Sequence, residues 1–237
     1  MKTLLLRLQG PMQSWGTSSR FTERDTGLEP SKSGVIGLLC AALGKPRAEL
    51  PEHAGRWPTL ADLCHLRMGV RVDSPGQVGV DFQTAGGGRL GCRSYGVAKA
   101  DGSKPESVMS WRYYLQDAAF LVGLESSDTA LLQRLHMALR EPVWPLYLGR
   151  KSYVPGRPVY LPDGLQDGEL ENVLRPDHYP LLVESAQDRQ RVRIVVDQIG
   201  AQDGEARIDV PLDFVRRLFG VRHVRQYWMS WTPGLDA

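Results

Sequence analysis

Cysteine and histidine are scarce in this sequence. Its 237 residues include three cysteines and five histidines, and Cys40, Cys64 and Cys92 form neither a CxxC pair nor a Cys/His ligand spacing. An odd number of cysteines without such spacing is typical of free thiols in a reducing compartment, and it argues against a disulfide framework or a zinc site. We therefore expect a cytoplasmic protein without a metal centre or another cofactor.

Long apolar segments are lacking as well. The longest, residues 35–43, is far shorter than the ~18 residues of a membrane-spanning helix. At the N-terminus, Arg7 and Gln9 interrupt the apolar residues too early for a signal peptide. The sequence therefore favours a globular protein that is neither embedded in a membrane nor exported.

The general motifs of catalysis are also missing. There is no Walker A loop, HExxH sequence or GxSxG elbow. Residues 86–91 spell GxGxxG, but no helix follows them, so we interpret them as a flexible tip rather than a phosphate-binding loop. His178 and His223 are isolated, which favours surface or hydrogen-bonded histidines over catalytic ones. The sequence thus indicates binding rather than catalysis.

Charge is unevenly distributed along the chain. The formal net charge is +2, yet residues 161–188 contain seven acidic residues and one basic residue, so this segment carries −6 and the remainder carries +8. Within the remainder, residues 216–225 hold four arginines and no acid. Further basic residues lie among glycine, serine and proline: Lys32, Arg150, Lys151 and Arg157. Such surfaces can follow a phosphate backbone, although each single charge could equally be a solvated surface residue.

Apolar periodicity predicts an α+β fold. Alternation indicates strands over 3–9, 66–72, 118–124 and 143–147, and helical spacing indicates helices over about 35–43 and 131–139. Serines at 31 or 33 and polar residues at 126–128 are the candidate N-caps. The order strand–helix–strand–strand–helix–strand is the ferredoxin-like, split βαβ arrangement, which RNA-recognition modules also use.

An insertion and a second, β-rich half are expected around this ferredoxin-like palm, which covers residues 1–76 and 113–148. Residues 77–112 contain seven glycines, and their ends alternate well enough to pair as a long β-hairpin, with a plain linker as the alternative. Residues 149–237 are predicted to begin with a basic, glycine-rich loop and to continue with strands over 192–196, 207–210 and 221–229.

The strongest binding signal is the loop at residues 149–156, which has glycine at both ends. Arg150 and Lys151 can neutralise phosphate, Ser152 can donate a hydrogen bond, and Tyr153 can stack on a base for ~1–3 kcal/mol. Glycine allows backbone N–H groups to approach a phosphate closely. The alternative is an exposed turn whose charges are solvated.

A second signal lies at residues 31–34. There Lys32 and Ser33 would stand at the N-terminus of a helix, whose free N–H groups and dipole attract anions. The alternative is an ordinary N-cap. Trp15 could stack on a base, but a tryptophan near a strand end is more often part of the core.

Four stretches of the sequence resemble the CasD family, whose members are subunits of the type I-E CRISPR surveillance complex, Cascade. They are residues 6–16 (LRLQGPMQSWG), 30–39 (PSKSGVIGLL), 114–120 (YLQDAAF) and 145–152 (PLYLGRKS). They occur in the family's order, and the similarity extends from residue 4 to about 160. Strings of this length are more specific than a lone glycine pattern.

The resemblance implies an RNA-recognition-like palm of the RAMP type with residues 77–112 as its thumb. It implies that the chain holds the five-prime handle of the crRNA, adjoins the CasC backbone subunit and the large subunit CasA, and meets target DNA only through the complex, without a membrane. Another subunit, CasE, would cut the precursor, so this chain is expected not to be an enzyme. The expected RNA-binding residues are Gln13, Arg20, Arg24, Lys32, Ser33, Arg150, Lys151, Ser152 and Tyr153.

Two alternatives stay open. Relatives in another CRISPR subtype cleave precursor RNA without a metal, because a base activates the 2′-hydroxyl of the RNA. The Lys-His pair expected of those relatives is absent here, but the five histidines leave an endoribonuclease possible. A purely structural subunit with little RNA contact would leave residues 149–156 without a role.

Overall fold

The computed structural model describes residues 1–18, 22–86, 88–90, 93–97, 107–183, 191–198, 200 and 204–231. Its strands are β1 (Lys2–Gln13), β2 (Glu23–Arg24), β3 (Arg67–Ser74), β4 (Gln77–Ala85), β5 (Gly88–Leu90), β6 (Arg93–Tyr95), β7 (Val108–Ser126), β8 (Leu165–Asp167), β9 (Arg191–Asp197), β10 (Glu205–Asp213) and β11 (Leu218–Ser230). Its α-helices are α1 (Lys32–Leu43), α2 (Leu60–His65), α3 (Thr129–Arg140) and α4 (Leu170–Val173), and Pro51–His53 form one 3₁₀ turn. The fold class is α+β, as predicted.

β7 is the centre of a large sheet whose order is β10–β11–β9–β3–β7–β1–β8, with β2 and β4 also paired to β7. The pairing of β2 with β7 is parallel, and the other pairings in this sheet are antiparallel. On one edge of β7, residues 119–125 pair with β3 and residues 108–116 pair with β4. The turn between β3 and β4 requires Gly76, which has φ +67°, because a Cβ atom there would overlap the carbonyl oxygen of Gln116.

Both faces of β1 are buried, and each contributes to a different apolar cluster. Leu4, Leu6 and Leu8 pack in the cluster that contains α1 and α3. Leu5 lies on the opposite face, together with Leu121 and the apolar residues of α4. Because apolar residues point to both faces of β1, this strand can lie in the interior of the sheet, with a layer of apolar residues packed on each face.

The predicted strands and helices are largely confirmed. The strands expected at 3–9, 66–72 and 118–124 lie in β1, β3 and β7, and those expected at 192–196, 207–210 and 221–229 lie in β9, β10 and β11. Ser31 caps α1 by accepting from the N–H of Gly34, and Asp128 caps α3 by accepting from the N–H of Leu131. Local sequence signals therefore suffice for these elements.

The strand predicted at 143–147 is wrong, since this segment has no regular structure. The backbone N–H groups of Val143 and Trp144 donate to the carbonyls of Ala42 and Ala41 in the last turn of α1, where Ala41 also accepts from the N–H of Gly44. The segment therefore donates hydrogen bonds to the C-terminal end of α1 instead of pairing as a strand. The edge of β1 is instead paired by the short strand β8.

The insertion predicted at 77–112 begins and ends as a hairpin. β4 pairs with the first half of β7, from Gln77 opposite Gln116 to Ala85 opposite Val108, and we call this pair the ribbon. β5 and β6 pair with each other between its two strands, while much of the glycine-rich tip lies outside the described residues. The predicted boundary after residue 112 falls within β7, and β9–β11 extend the same sheet through the pairing of β9 with β3.

Candidate nucleic-acid interface

The glycine-rich loop that the sequence singles out runs along the edge of β1. Four backbone hydrogen bonds join residues 148–164, which we call the strap, to β1 and its continuation. They link Ser14 N to Leu148 O at 3.0 Å, Gly156 N to Gln9 O at 2.9 Å, Arg7 N to Val159 O at 2.9 Å, and Leu5 N to Gly164 O at 2.7 Å. Gly149 has φ +94°, and a Cβ atom there would overlap the carbonyl oxygen of Ser14. The strap therefore needs glycine where it first meets β1.

Tyr153 is part of the protein interior rather than a surface for a base. Only 4% of its surface is exposed, and its ring lies 6.1 Å from that of Tyr114. Its hydroxyl oxygen accepts a hydrogen bond of 2.9 Å from Nη1 of Arg150, whose guanidinium also lies 5.4 Å from the centre of the ring. The stacking role predicted for Tyr153 is not possible in this arrangement. The side chain instead holds Arg150 in place.

Arg150 connects the strap to β2 and brings three cations to one corner of the protein. Its Nη2 atom donates to the carbonyl oxygen of Arg24 at 3.0 Å. Arg24, Lys151 and Ser152 are exposed, and Arg150 is half-buried. We call Arg24, Arg150 and Lys151 the basic corner. Arg20, also predicted to bind RNA, lies outside the described residues.

Lys32 is a buried residue that pairs within the protein. It is 5% exposed, and its Nζ atom donates to a carboxylate oxygen of Asp197 at 2.8 Å. Its backbone N–H, at the N-terminus of α1, donates to Asp209 at 2.8 Å, and Arg222 binds both aspartates. Burial raises the pKa of Asp197, but the charges of Arg222 and Lys32 outweigh it and hold that pKa below its usual range. The anion at this helix end is thus the protein's own carboxylate, and phosphate contact by Lys32 is excluded in this structure.

Gln13 and Ser33 have structural partners as well. Gln13 is 0% exposed, and its Nε2 atom donates to the carbonyls of Leu8 and Ala118. Its Oε1 atom accepts from the indole N–H of Trp15, which is a core residue. Ser33 is half-buried, with its hydroxyl 3.4 Å from that of Ser31, the N-cap of α1. The RNA contact predicted for Gln13 therefore does not fit this structure.

Arg7 is a basic residue of this edge that the sequence analysis did not select. It stands on β1 between leucines, half-buried, where the strap crosses β1 at Val159. The feature of the sequence that could have indicated a functional role for Arg7 is its position as an arginine between the leucines of a predicted strand. Arg157 of the strap is exposed. In the sequence it stands out only as one of several basic residues in a glycine- and proline-rich region.

The ribbon presents an exposed apolar face. Val80 lies opposite Tyr113, and Phe82 lies opposite Trp111, so the four side chains share one face. All four are exposed, and the rings of Phe82 and Trp111 meet edge to face at 5.5 Å. An apolar, aromatic surface of this kind can receive either bases or another protein.

Metal ligands and reactive thiols are not evident in the described part of the chain. No group of three His, Cys, Asp or Glu side chains there could hold a metal ion. Burial raises the pKa of Cys40 to about 12 and that of Cys64 to about 11, so both thiols are protonated near neutral pH. Among the described residues, no helix has the length and hydropathy of a membrane span.

Comparison with known proteins gives consistent matches. The family model described as CRISPR-associated protein (Cas_Cas5) matches residues 3–225. The CRISPR system Cascade subunit CasD of Escherichia coli (strain K12) is 33% identical over 168 residues, which are 67% of this chain and 69% of that protein. A crystal structure of a Cas protein superposes with a TM-score of 0.73 at 43% identity, covering 96% of this chain and 95% of the other. A chain of a CRISPR RNA-guided surveillance complex superposes with a TM-score of 0.70 at 31% identity, covering 99% and 95%.

Proposed function

Because the chain belongs to the CRISPR-associated Cas5 family, we propose that it is a non-catalytic, cytoplasmic subunit of a type I-E Cascade complex that binds the five-prime handle of the crRNA. The support is the similarity to a protein named as a Cascade subunit and to a chain of an RNA-guided surveillance complex. In this role the protein caps the CasC backbone, adjoins CasA and meets target DNA only through the complex.

The proposed architecture is a ferredoxin-like palm of the RAMP type, with the ribbon as its thumb. Four strands lie in the order β8–β1–β7–β3, with α1 after β1 and α3 after β7, as the split βαβ arrangement requires. β8 takes the place that the sequence had given to residues 143–147. The thumb is assigned to 77–112, and residues 149–237 contain the strap and the strands that extend the sheet.

The basic corner is the observation that carries the RNA-binding role. Arg150 is anchored by Tyr153 and by the carbonyl of Arg24, so its guanidinium is oriented before a ligand arrives. Lys151 is exposed beside it, and Arg24 is exposed on the neighbouring strand. A fixed cation with two exposed cations on adjoining segments can bind the phosphates of single-stranded RNA without reading its sequence.

The apolar face of the ribbon supplies the second half of the proposed interface. β2, which carries Arg24, pairs with β7 at Trp111 and Arg112, so the ribbon and the basic corner adjoin. Stacking of a base on an exposed aromatic ring contributes ~1–3 kcal/mol. The ribbon would therefore hold bases while the corner holds phosphates.

The alternative function is cleavage of the precursor RNA. Metal-independent cleavage needs a base near the 2′-hydroxyl of the bound RNA. In the described part of the chain, no hydrogen bond or ring contact joins a histidine to Arg24, Arg150 or Lys151. His136, for example, stacks on Tyr160 and is hydrogen-bonded to the carbonyl of Leu161. This arrangement favours binding without cleavage.

Photo-crosslinking in the reconstituted complex tests the proposal. A crRNA carrying 4-thiouridine in its five-prime handle should crosslink to peptides of the strap and the ribbon. Crosslinks confined to other subunits would overturn the handle-binding role. Incubation of the chain with repeat RNA in EDTA should leave the RNA intact. A single discrete cut that a histidine substitution abolishes would establish the alternative.

A further inference from the structure

A pocket of about 520 Å³ lies beside the middle of the strap, at Arg157, six residues beyond Lys151 of the basic corner. Arg7 and Gln9 of β1 and Arg157 of the strap form one side of it, and residues 179–183 form the other. Its volume is within the range of roughly 300–1,000 Å³ that is usual for small-molecule sites. None of the described residues that line it is acidic.

The guanidinium of Arg7 has no partner in the described part of the chain. Its Nε atom is buried without a hydrogen bond, and its other nitrogens donate none to described residues. The two arginines that are buried in the described part of the chain differ from it, since Arg71 binds Asp73 and Arg222 binds Asp209. A buried donor without a partner is costly, so this atom points to a ligand that would accept from it.

Arg157 gives the same pocket a second cation. It is exposed and forms no hydrogen bond or ion pair with a described residue. Asp163 is not among the residues that line the pocket, and its carboxylate accepts a hydrogen bond of 3.0 Å from the hydroxyl of Tyr179. The described side chains that line the pocket therefore carry two positive charges and no negative one, which suits an anion.

The opposite wall suits a flat apolar group. Tyr179 is almost fully buried, and the adjoining wall is formed by Pro180, Leu181 and Leu182. A ligand with a phosphate at one end and a ring at the other satisfies both sides. We propose that this pocket binds one nucleotide of the RNA, with its phosphate between Arg7 and Arg157 and its base against residues 180–182. This assignment rests on the RNA-binding function proposed above.

The path of the strap connects the pocket to the basic corner. The strap follows β1 from Ser14, next to Leu148, to Arg7, next to Val159. At roughly 3.3 Å per residue, the seven residue steps from Ser14 to Arg7 span about 23 Å. The strap therefore carries both Lys151 and the pocket residue Arg157 along the same edge of β1.

The salt dependence of RNA binding tests the pocket separately from the corner. We would measure binding of a fluorescent single-stranded repeat RNA to the full chain between low and physiological salt. Arg157→Ala and Arg7→Gln should each reduce the slope of log K against log salt by ~0.7, the value for one phosphate contact on single-stranded RNA. Arg157→Lys should keep the slope, and Arg47→Ala, which removes an exposed arginine after helix α1, is the charge-matched control.

The outcomes distinguish the two assignments. If Arg150→Ala/Lys151→Ala lowers the slope but Arg157→Ala does not, the pocket assignment is overturned and the corner stands. If Arg157→Ala and Arg7→Gln lower the slope and Arg150→Ala/Lys151→Ala does not, the pocket assignment is supported and the assignment of the basic corner is overturned. No change in any variant overturns both. Thermal melting checks that the Arg7→Gln variant is folded. If that variant is unfolded, Arg157→Ala alone decides the question, because Arg157 is exposed and its removal should leave the fold intact.

Discussion

Lys32 and Asp197 lie 165 residues apart in the sequence and form an ion pair of 2.8 Å inside the protein. The pair joins the first residue of α1 to the last residue of β9, and the N–H of Met68 on β3 donates to the same carboxylate. A basic residue that looked suited to phosphate therefore ties the C-terminal strands to the first helix. Lys32 is thus assigned to stability, and the proposed RNA binding is assigned to other cations of this chain.

Replacing Lys32 by methionine should destabilise the protein without affecting RNA binding. The substitution leaves the Asp197 carboxylate with one cation fewer in a buried site. We expect a loss of about 3 kcal/mol, at the low end for a broken buried pair because Arg222 still binds Asp197. Urea denaturation measures this loss. A lower salt slope of RNA binding with unchanged stability would contradict the internal role.

The basic corner should determine how RNA binding responds to salt. Arg150→Ala/Lys151→Ala removes two exposed or half-exposed cations, so the slope of log K against log salt should fall by ~1.4, or ~0.7 for each lost phosphate contact. Fluorescence anisotropy over a salt series measures it. Arg47→Ala/Arg140→Ala removes the same charge from exposed sites elsewhere and should leave the slope nearly unchanged.

Gly149→Ala should loosen the strap. Alanine disfavours φ +94°, and its Cβ atom would overlap the carbonyl oxygen of Ser14. We expect a loss of stability of about 3 kcal/mol together with weaker RNA binding, because the strap positions Arg150. Gly55→Ala is the matched control: Gly55 has φ +76° with no atom within 4 Å of the added Cβ, so strain of only about 1 kcal/mol is expected. Equal effects of the two substitutions would count against a close contact at Gly149.

The contribution of Glu171 to stability should disappear in acid. Its carboxylate binds Arg67, and this hydrogen bond is the largest of the influences that lower the pKa of Glu171 below its ordinary 4.5. A lowered pKa means that the stabilisation is complete above the unfolded value and is lost as the pH falls through the folded value. Glu171→Gln should therefore melt at a lower temperature than the parent at pH 7.

The difference in melting temperature between the two proteins should shrink as the pH falls below about 4. Thermal melting at a series of pH values measures it. A difference in melting temperature that stays constant down to pH 2 would show that the carboxylate charge of Glu171 does not contribute to stability. The exposed Arg140→Ala variant should track the parent over the whole range.

Local signals in the sequence determined the elements around which the protein is built. The alternating leucines of β1, the capped helical stretches at α1 and α3, and the turn at Gly76 can each be recognised within about ten residues of chain. Their order also indicated the arrangement of the central strands. Such features follow from backbone preferences and apolar periodicity, which depend little on distant residues.

Tertiary structure decided which of the basic and aromatic residues remain available to a ligand. Lys32, Gln13 and Tyr153 are buried by partners that lie far away in the sequence, and residues 143–147 are drawn to the end of α1 instead of forming a strand. Among the described residues, Arg7 has no hydrogen-bond partner for the same reason, since only the packing of the strap and residues 179–183 around it creates the pocket. Burial and charge pairing depend on which surfaces meet, and no local pattern encodes that.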